Sequence, residues 1–89
     1  MNNYTVEYQK QAVKQLQKMD PYASKKIYTW ISKNLVNCCN PYFQGKQLKG
    51  NLSKYWRYRV GNYRILAEID NEQIKIIIIS AGDRKEIYE

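Results

Sequence analysis

None of the 89 residues is a histidine. That removes a histidine base and a serine–histidine pair from the available chemistry. The two cysteines, Cys38 and Cys39, are adjacent and cannot join each other in an ordinary disulfide. Without histidine they form no metal-ligand pattern either, and they read as two reduced thiols of a cytoplasmic protein. The four glycines are spread out, with no phosphate-cradling loop of the P-loop or dinucleotide kind. The longest apolar run, Ile76 to Ile79, is far too short to span a bilayer. Met1 to Tyr4 shows no basic start leading into an apolar stretch, so no secretory leader is expected. Acidic side chains are few and scattered, and Asp70 and Glu72 read as part of a solvated turn. No metal, cofactor or membrane is expected as a partner.

What is abundant is positive charge. Lysine and arginine number 15 against 8 acidic residues, a formal net charge of +7. All four arginines (Arg57, Arg59, Arg64 and Arg84) fall in the second half, while the first half carries lysines. Lysine is a flexible point charge suited to solvated steering; arginine is a planar fork suited to fixed phosphate contacts. The split predicts a generally basic surface with one built anion site.

The segment Tyr55 to Arg64 locates that site. Strict alternation over Tyr55 to Val60 has the period of a strand, with Tyr55, Arg57 and Arg59 on one face and Trp56, Tyr58 and Val60 on the other. Gly61-Asn62 is a two-residue hairpin turn. Folding about it pairs Val60 with Tyr63, Arg59 with Arg64, Tyr58 with Ile65, Arg57 with Leu66 and Trp56 with Ala67. One face becomes apolar and the other gathers three arginines. Like charges directly opposite each other destabilise a sheet. An anion held across both guanidinium groups, most simply phosphate, gives the Arg59–Arg64 pair a purpose.

The remainder of the chain supplies a frame. Tyr4 to Tyr8 alternates as a first strand. Ala12, Val13, Leu16 and Met19 mark one helix over 10–19, and Ala23, Ile27, Trp30, Ile31 and Leu35 mark a second over about 21–35. Asp20-Pro21 reads as an N-cap and first helical residue between them. Residues 37–54 read as loop and turn, with Asn40-Pro41, Gly45 and Gly50. A turn at Asn71-Glu72 would pair Ile69 with Ile74, Ala67 with Ile76 and Ile65 with Ile78, and set Glu68 against Lys75. Ile77 and Ile79 then fall on the arginine face. The expected architecture is one α+β domain over 1–89: an N-terminal strand, a helical hairpin, then a largely antiparallel three-stranded meander whose sheet carries the helices on one face.

The tail Gly82 to Tyr88 adds Arg84, Lys85 and Tyr88. Aromatic rings that stack on unpaired bases, with arginines holding the phosphate between them, suit single-stranded RNA. Tyr88 reads equally well as an aromatic plug on the sheet, and Tyr55 as a residue of high strand propensity.

Taken in order, A-V-K-Q-L-Q-K-M-D, Leu48-Lys49-Gly50, W-R-Y-R-V-G-N-Y-R-I and the ending S-A-G-D-R-K-E-I-Y resemble the RelE/ParE superfamily of bacterial toxins, most closely the RelE-like mRNA interferases. The resemblance covers nearly the whole chain. It implies the toxin of a toxin–antitoxin pair, monomeric alone and hetero-oligomeric with a RelB-like antitoxin. It also implies a metal-independent endoribonuclease that cuts mRNA in the ribosomal A site, the 2′-OH attacking the adjacent phosphate. By resemblance, Arg64 stabilises the phosphate, Arg84 stabilises charge and can protonate the leaving group, and Tyr88 stacks on or orients the target nucleotide. Arg57 falls where relatives carry a lysine base, and Asp83 where many carry histidine. Lys54, Tyr55, Arg59 and Lys85 are expected to contact RNA. The base is left among Lys54, Tyr88, a ribosomal RNA group and simple positioning of the 2′-OH. The alternative reading is a ParE-like toxin that inhibits DNA gyrase by protein contact and cuts nothing.

Overall fold

The computed structural model describes residues 3–83. Arg84, Lys85 and Tyr88 lie outside the described residues. The elements are β1 (Thr5–Tyr8), α1 (Lys10–Lys18), α2 (Pro21–Asn34), β2 (Lys46–Gln47), a 3-10 turn (Gly50–Leu52), β3 (Tyr55–Val60), β4 (Tyr63–Asp70) and β5 (Lys75–Asp83). The strands form one sheet in the order β1-β5-β4-β3-β2. The α+β class stands, with β1 parallel to β5 and every other pair antiparallel.

The helices form where their apolar spacing and cap dictate. Asp20 Oδ2 accepts a hydrogen bond from the Ala23 backbone N–H at 3.3 Å, and Pro21 occupies the first turn where no donor is needed. Ala12 and Leu16 of α1 and Ala23, Ile27 and Ile31 of α2 are buried. Against all of these but Ala23 pack Tyr58, Val60, Ile65, Ala67, Ile76 and Ile78, the apolar face of the central strands. At roughly 25 cal/mol per Å² of apolar surface removed from water, this single layer of contact is the main stabilising term.

The β3–β4 hairpin has the register read from the alternation, including Arg59 opposite Arg64. Gly61 takes φ +61 as the first turn residue, the left-handed conformation that this turn requires.

The β4–β5 register differs from the expectation by two residues. Ile69 pairs with Ile76, Ala67 with Ile78, Glu68 with Ile77 and Asp70 with Lys75. The turn is longer because Asp70 Oδ1 accepts from the backbone N–H groups of Glu72 and Gln73, both at 3.0 Å, and Ile74 takes φ +55. A shift of two keeps every side chain on its face. Ile77 and Ile79 accordingly stand on the arginine side, half-buried. Lys75 pairs across β5 with Glu7 of β1, Nζ to Oε2 at 3.0 Å, in place of the expected Glu68.

Beyond Ala67 the ladder carries a bulge: Leu66 pairs with Ser80, Ile65 with Ala81 and Arg64 with Gly82. Without the extra residue Ser80 would enter the core opposite Ile65; with it, Ala81 takes that place. The Gln15 side chain of α1 accepts from the Ala81 N–H at 2.8 Å, fastening the strand just past the bulge.

Residues 37–54 do not form the uninterrupted loop expected. Lys46 and Gln47 make a two-residue edge strand against Arg57 and Trp56. Gly45 (φ +82) leads into it, so close to β3 that a side chain there would overlap the Arg57 carbonyl. Trp56 Nε1 donates to the Gln44 carbonyl at 2.7 Å, and the buried Tyr58 hydroxyl donates to the Pro41 carbonyl at 2.6 Å. Two strand side chains thus pin the segment that delivers β2. Among the described residues, no helix is long and apolar enough to cross a membrane.

Candidate functional site

The face of the sheet turned away from the helices gathers the cations. Arg59 and Arg64 are direct partners across the hairpin, and Arg57 follows two residues along β3. The pleat aims Arg57 and Arg59 the same way, and Arg64 joins them from β4. Their environments differ. Arg57 and Arg64 are 8% and 5% exposed, while Arg59 stands in solvent. Two guanidinium stems are therefore held in the protein and the third is free to close over a ligand. Next to Arg64 on β5 lies Gly82.

A concavity of about 210 Å³ lies between Arg57, Arg59 and the residues Trp30, Gln44, Gly45 and Lys46, and two more open beside it. A groove of about 560 Å³ runs between the segment 46–52 and Arg57 and Arg59. A smaller cleft of about 120 Å³ is lined by Arg59, Gly61, Asn62 and Arg64. Arg59 borders both, so the two form a continuous cationic surface.

The remaining described candidates separate from this cluster. Lys54 is exposed and precedes β3, its Nζ lying 5.1 Å from the centre of the Tyr55 ring. Both border a different cleft of about 260 Å³, with Tyr42 and Trp56. Tyr55 keeps its place on the arginine face, opposite Glu68. It is four residues from Arg59, about 13 Å along the strand. Tyr55 is therefore the neighbour of Arg57 on this face, about 7 Å along the strand, while both Tyr55 and Lys54 line a cleft that the arginines do not.

Sequence reasoning missed Lys46. The short strand β2 sets it directly opposite Arg57, and it lines the large groove. Two residues carry no periodicity, and the signal that could have found them was the Gly45-Lys46 break before an apolar Leu48. Asp70, read as a turn residue, caps that turn.

Burial and charge tune the surrounding phenols and thiol. Burial pushes the Tyr58 phenol well above the ordinary tyrosine range, with smaller contributions from Cys38 and Tyr42. Partial burial likewise raises the Cys38 thiol, and Cys39 beside it is exposed. Both cysteines are free thiols and lie away from the arginine groove.

A helical hairpin backing a mixed sheet, whose open face concentrates buried and exposed arginines, defines a small toxin domain of the RelE/ParE type. The comparisons agree. Residues 6–88 match the family model of the ParE toxin of type II toxin–antitoxin systems. The chain therefore belongs to that family, within the RelE/ParE superfamily, and is a RelE-like toxin of a toxin–antitoxin system. An Escherichia coli protein named for its likeness to RelE toxins is 29% identical, over 96% of this chain and 90% of that protein. The toxin–antitoxin complex RelBE2 of Mycobacterium tuberculosis contains a similar chain (TM-score 0.85, 28% identity, 97% of each chain covered). The RelB–RelE antitoxin–toxin complex of Methanococcus jannaschii contains another, with TM-score 0.67 and 31% identity over 92% of this chain and 94% of that one.

Proposed function

We propose that this toxin is a ribosome-dependent endoribonuclease of the cytoplasm, cleaving mRNA in the A site by attack of a 2′-OH on the adjacent phosphate. The observation that carries the reading is the Arg59–Arg64 pair, with Arg57 beside it on the same face. Such a like-charge pair costs folding stability and serves a bound phosphate, whose growing negative charge in the transition state the guanidinium groups offset. The groove beside Arg57 and Arg59 gives the flanking strand a path. Arg84 and Tyr88 carry the roles that the resemblance gives them, charge stabilisation and nucleotide stacking. The excess of lysine steers the protein toward ribosomal RNA.

A RelB-like antitoxin is the proposed natural partner, as in the complexes that contain the similar chains. An acidic segment on it would neutralise the arginine face. A second reading, inhibition of DNA gyrase by protein contact, is favoured by the matching family model, which is that of ParE.

The test is primer extension on a defined mRNA, with purified protein and with or without translating ribosomes. Cleavage within codons that appears only with ribosomes is the expected result. Intact mRNA in both reactions, from folded protein that still arrests growth and blocks supercoiling by gyrase, would replace this reading with the second.

A further inference from the structure

Phosphate contacts position a nucleic acid, and base contacts tell one sequence from another. The arginine face supplies the first kind. The second kind belongs to the concavity of about 210 Å³ beside β3, where Trp30, Gln44 and Gly45 meet Lys46, Arg57 and Arg59. Arg59 also lines the cleft it shares with Arg64. A base entering the concavity therefore belongs to a nucleotide at or beside a phosphate held in that cleft. The volume is below the roughly 300–1,000 Å³ of pockets for drug-sized ligands and suits a single base.

Gln44 is fixed at both main chain and side chain. Its main-chain carbonyl accepts from Trp56 Nε1 at 2.7 Å, and Gly45 after it packs on the Arg57 carbonyl. Its side chain is set by a relay that starts in α2. Asn34 Nδ2 donates to the Trp30 carbonyl at 2.9 Å, and Gln44 Nε2 donates to Asn34 Oδ1 at 2.8 Å. A carbonyl only accepts, so each contact fixes which way the next amide faces. One N–H of Gln44 is committed in this way, and the same amide keeps a second N–H and the Oε1 acceptor for a ligand. Trp30 borders the concavity, half-buried, its ring tilted 50° against Tyr58 with centres 5.5 Å apart. An indole for stacking, an amide of fixed orientation and a guanidinium for the phosphate are the parts that bind a splayed single-stranded base.

We infer that this concavity is a nucleobase subsite in which Gln44 reads adenine and Trp30 supports the ring, an assignment that rests on the nuclease reading above. An amide offers one donor and one acceptor. Adenine alone presents the matching pair on both its Watson–Crick and its Hoogsteen edge, N1 or N7 beside the N6 amine. The Hoogsteen edge of guanine carries acceptors only, and the pyrimidines match on a single edge.

The experiment is single-turnover cleavage of ribosome-bound messages whose A-site codon carries each of the four bases at each position in turn, by wild type, Gln44→Met and Gln44→Glu. Circular dichroism and co-sedimentation with ribosomes would be measured in parallel. Wild type should cleave adenine codons about 5- to 150-fold faster than the others at one codon position. Gln44→Met, of similar length but with neither donor nor amide acceptor, should level the four bases. Gln44→Glu can only accept, and should shift the preference to guanine, whose N1–H and N2 amine donate side by side. A preference gained for a new base cannot arise from misfolding. Wild-type cleavage indifferent to the base at every position, or an adenine preference that survives in both variants, would overturn the subsite and leave the nuclease reading standing. Folded wild type that cleaves no codon on the ribosome would remove both.

Discussion

Replacing Gly45 by alanine is the sharpest test of how this site is assembled. Gly45 sits at φ +82, a backbone that an L-residue adopts only with strain, at a cost of about 1–2 kcal/mol. The new Cβ would overlap the Arg57 carbonyl oxygen, and it would lie 2.8 Å from Trp56 Nε1 and 2.9 Å from Tyr58 Cδ1. The first of these is main chain within β3 and cannot swing aside, so crowding adds about 1–3 kcal/mol. Displacing the segment would also lose the Trp56-to-Gln44 hydrogen bond, worth about 1 kcal/mol. The sum, about 3–6 kcal/mol, is a large share of the roughly 4–13 kcal/mol expected for a domain of this length. Gly50→Ala is the internal control, because Gly50 also has a positive φ but a Cβ there meets nothing within 4 Å. It should cost only the backbone share, about 1–2 kcal/mol. Urea unfolding followed by tryptophan fluorescence, comparing midpoints at constant slope, measures both. Equal losses in the two variants would refute the claim that close packing on β3, rather than backbone conformation, fixes Gly45.

Arg59→Glu turns the like-charge pair with Arg64 into an opposite-charge one and should raise stability by about 0.2–1 kcal/mol while abolishing growth arrest. A lower urea midpoint, or an undiminished arrest, would contradict that reading of the face. Tyr58→Phe removes the donor to the Pro41 carbonyl and should cost about 1–3 kcal/mol at neutral pH. Because burial raises the Tyr58 phenol, the native state keeps a proton that the unfolded chain releases near pH 10. That part of stability is complete below pH 10 and is lost as pH climbs above it. The wild-type urea midpoint should therefore fall more steeply in that range than that of Tyr58→Phe, and parallel curves would contradict the burial argument.

The parts of this molecule legible in the sequence are those in which one local rule decides the geometry. A two-residue turn at Gly61-Asn62 leaves a single register, so every β3–β4 pair follows from alternation. Asp20-Pro21 announces a helix start because only the cap and the missing donor matter there. The β4–β5 register was not legible, since its turn length depends on the Asp70 carboxylate gathering two backbone donors and on a left-handed Ile74. β2 was hidden for a different reason: its two residues are held by packing of Gly45 and by the Trp56 and Tyr58 side chains, all of them tertiary. The candidate site divides in the same way. Arg57, Arg59 and Arg64 on one face could be read from the period, whereas the burial of two of them, the separation of Lys54 and the arrival of Lys46 could not.

The isoleucine run of β5 holds four identical letters in three different surroundings. Ile76 and Ile78 are sealed in the core, Ile77 faces outward opposite Glu68, and Ile79 is the unmatched residue of the bulge. A run of one letter carries no information about its own reading frame. The frame is written at the ends, by the Glu7–Lys75 ion pair on one side and by Gln15 gripping Ala81 on the other. Erasing both marks would let the strand slip while its hydrophobic content stayed constant, and the glycine beside Arg64 would give way to another residue. The alignment of the cationic surface with the final strand is thus encoded in side chains that never touch it.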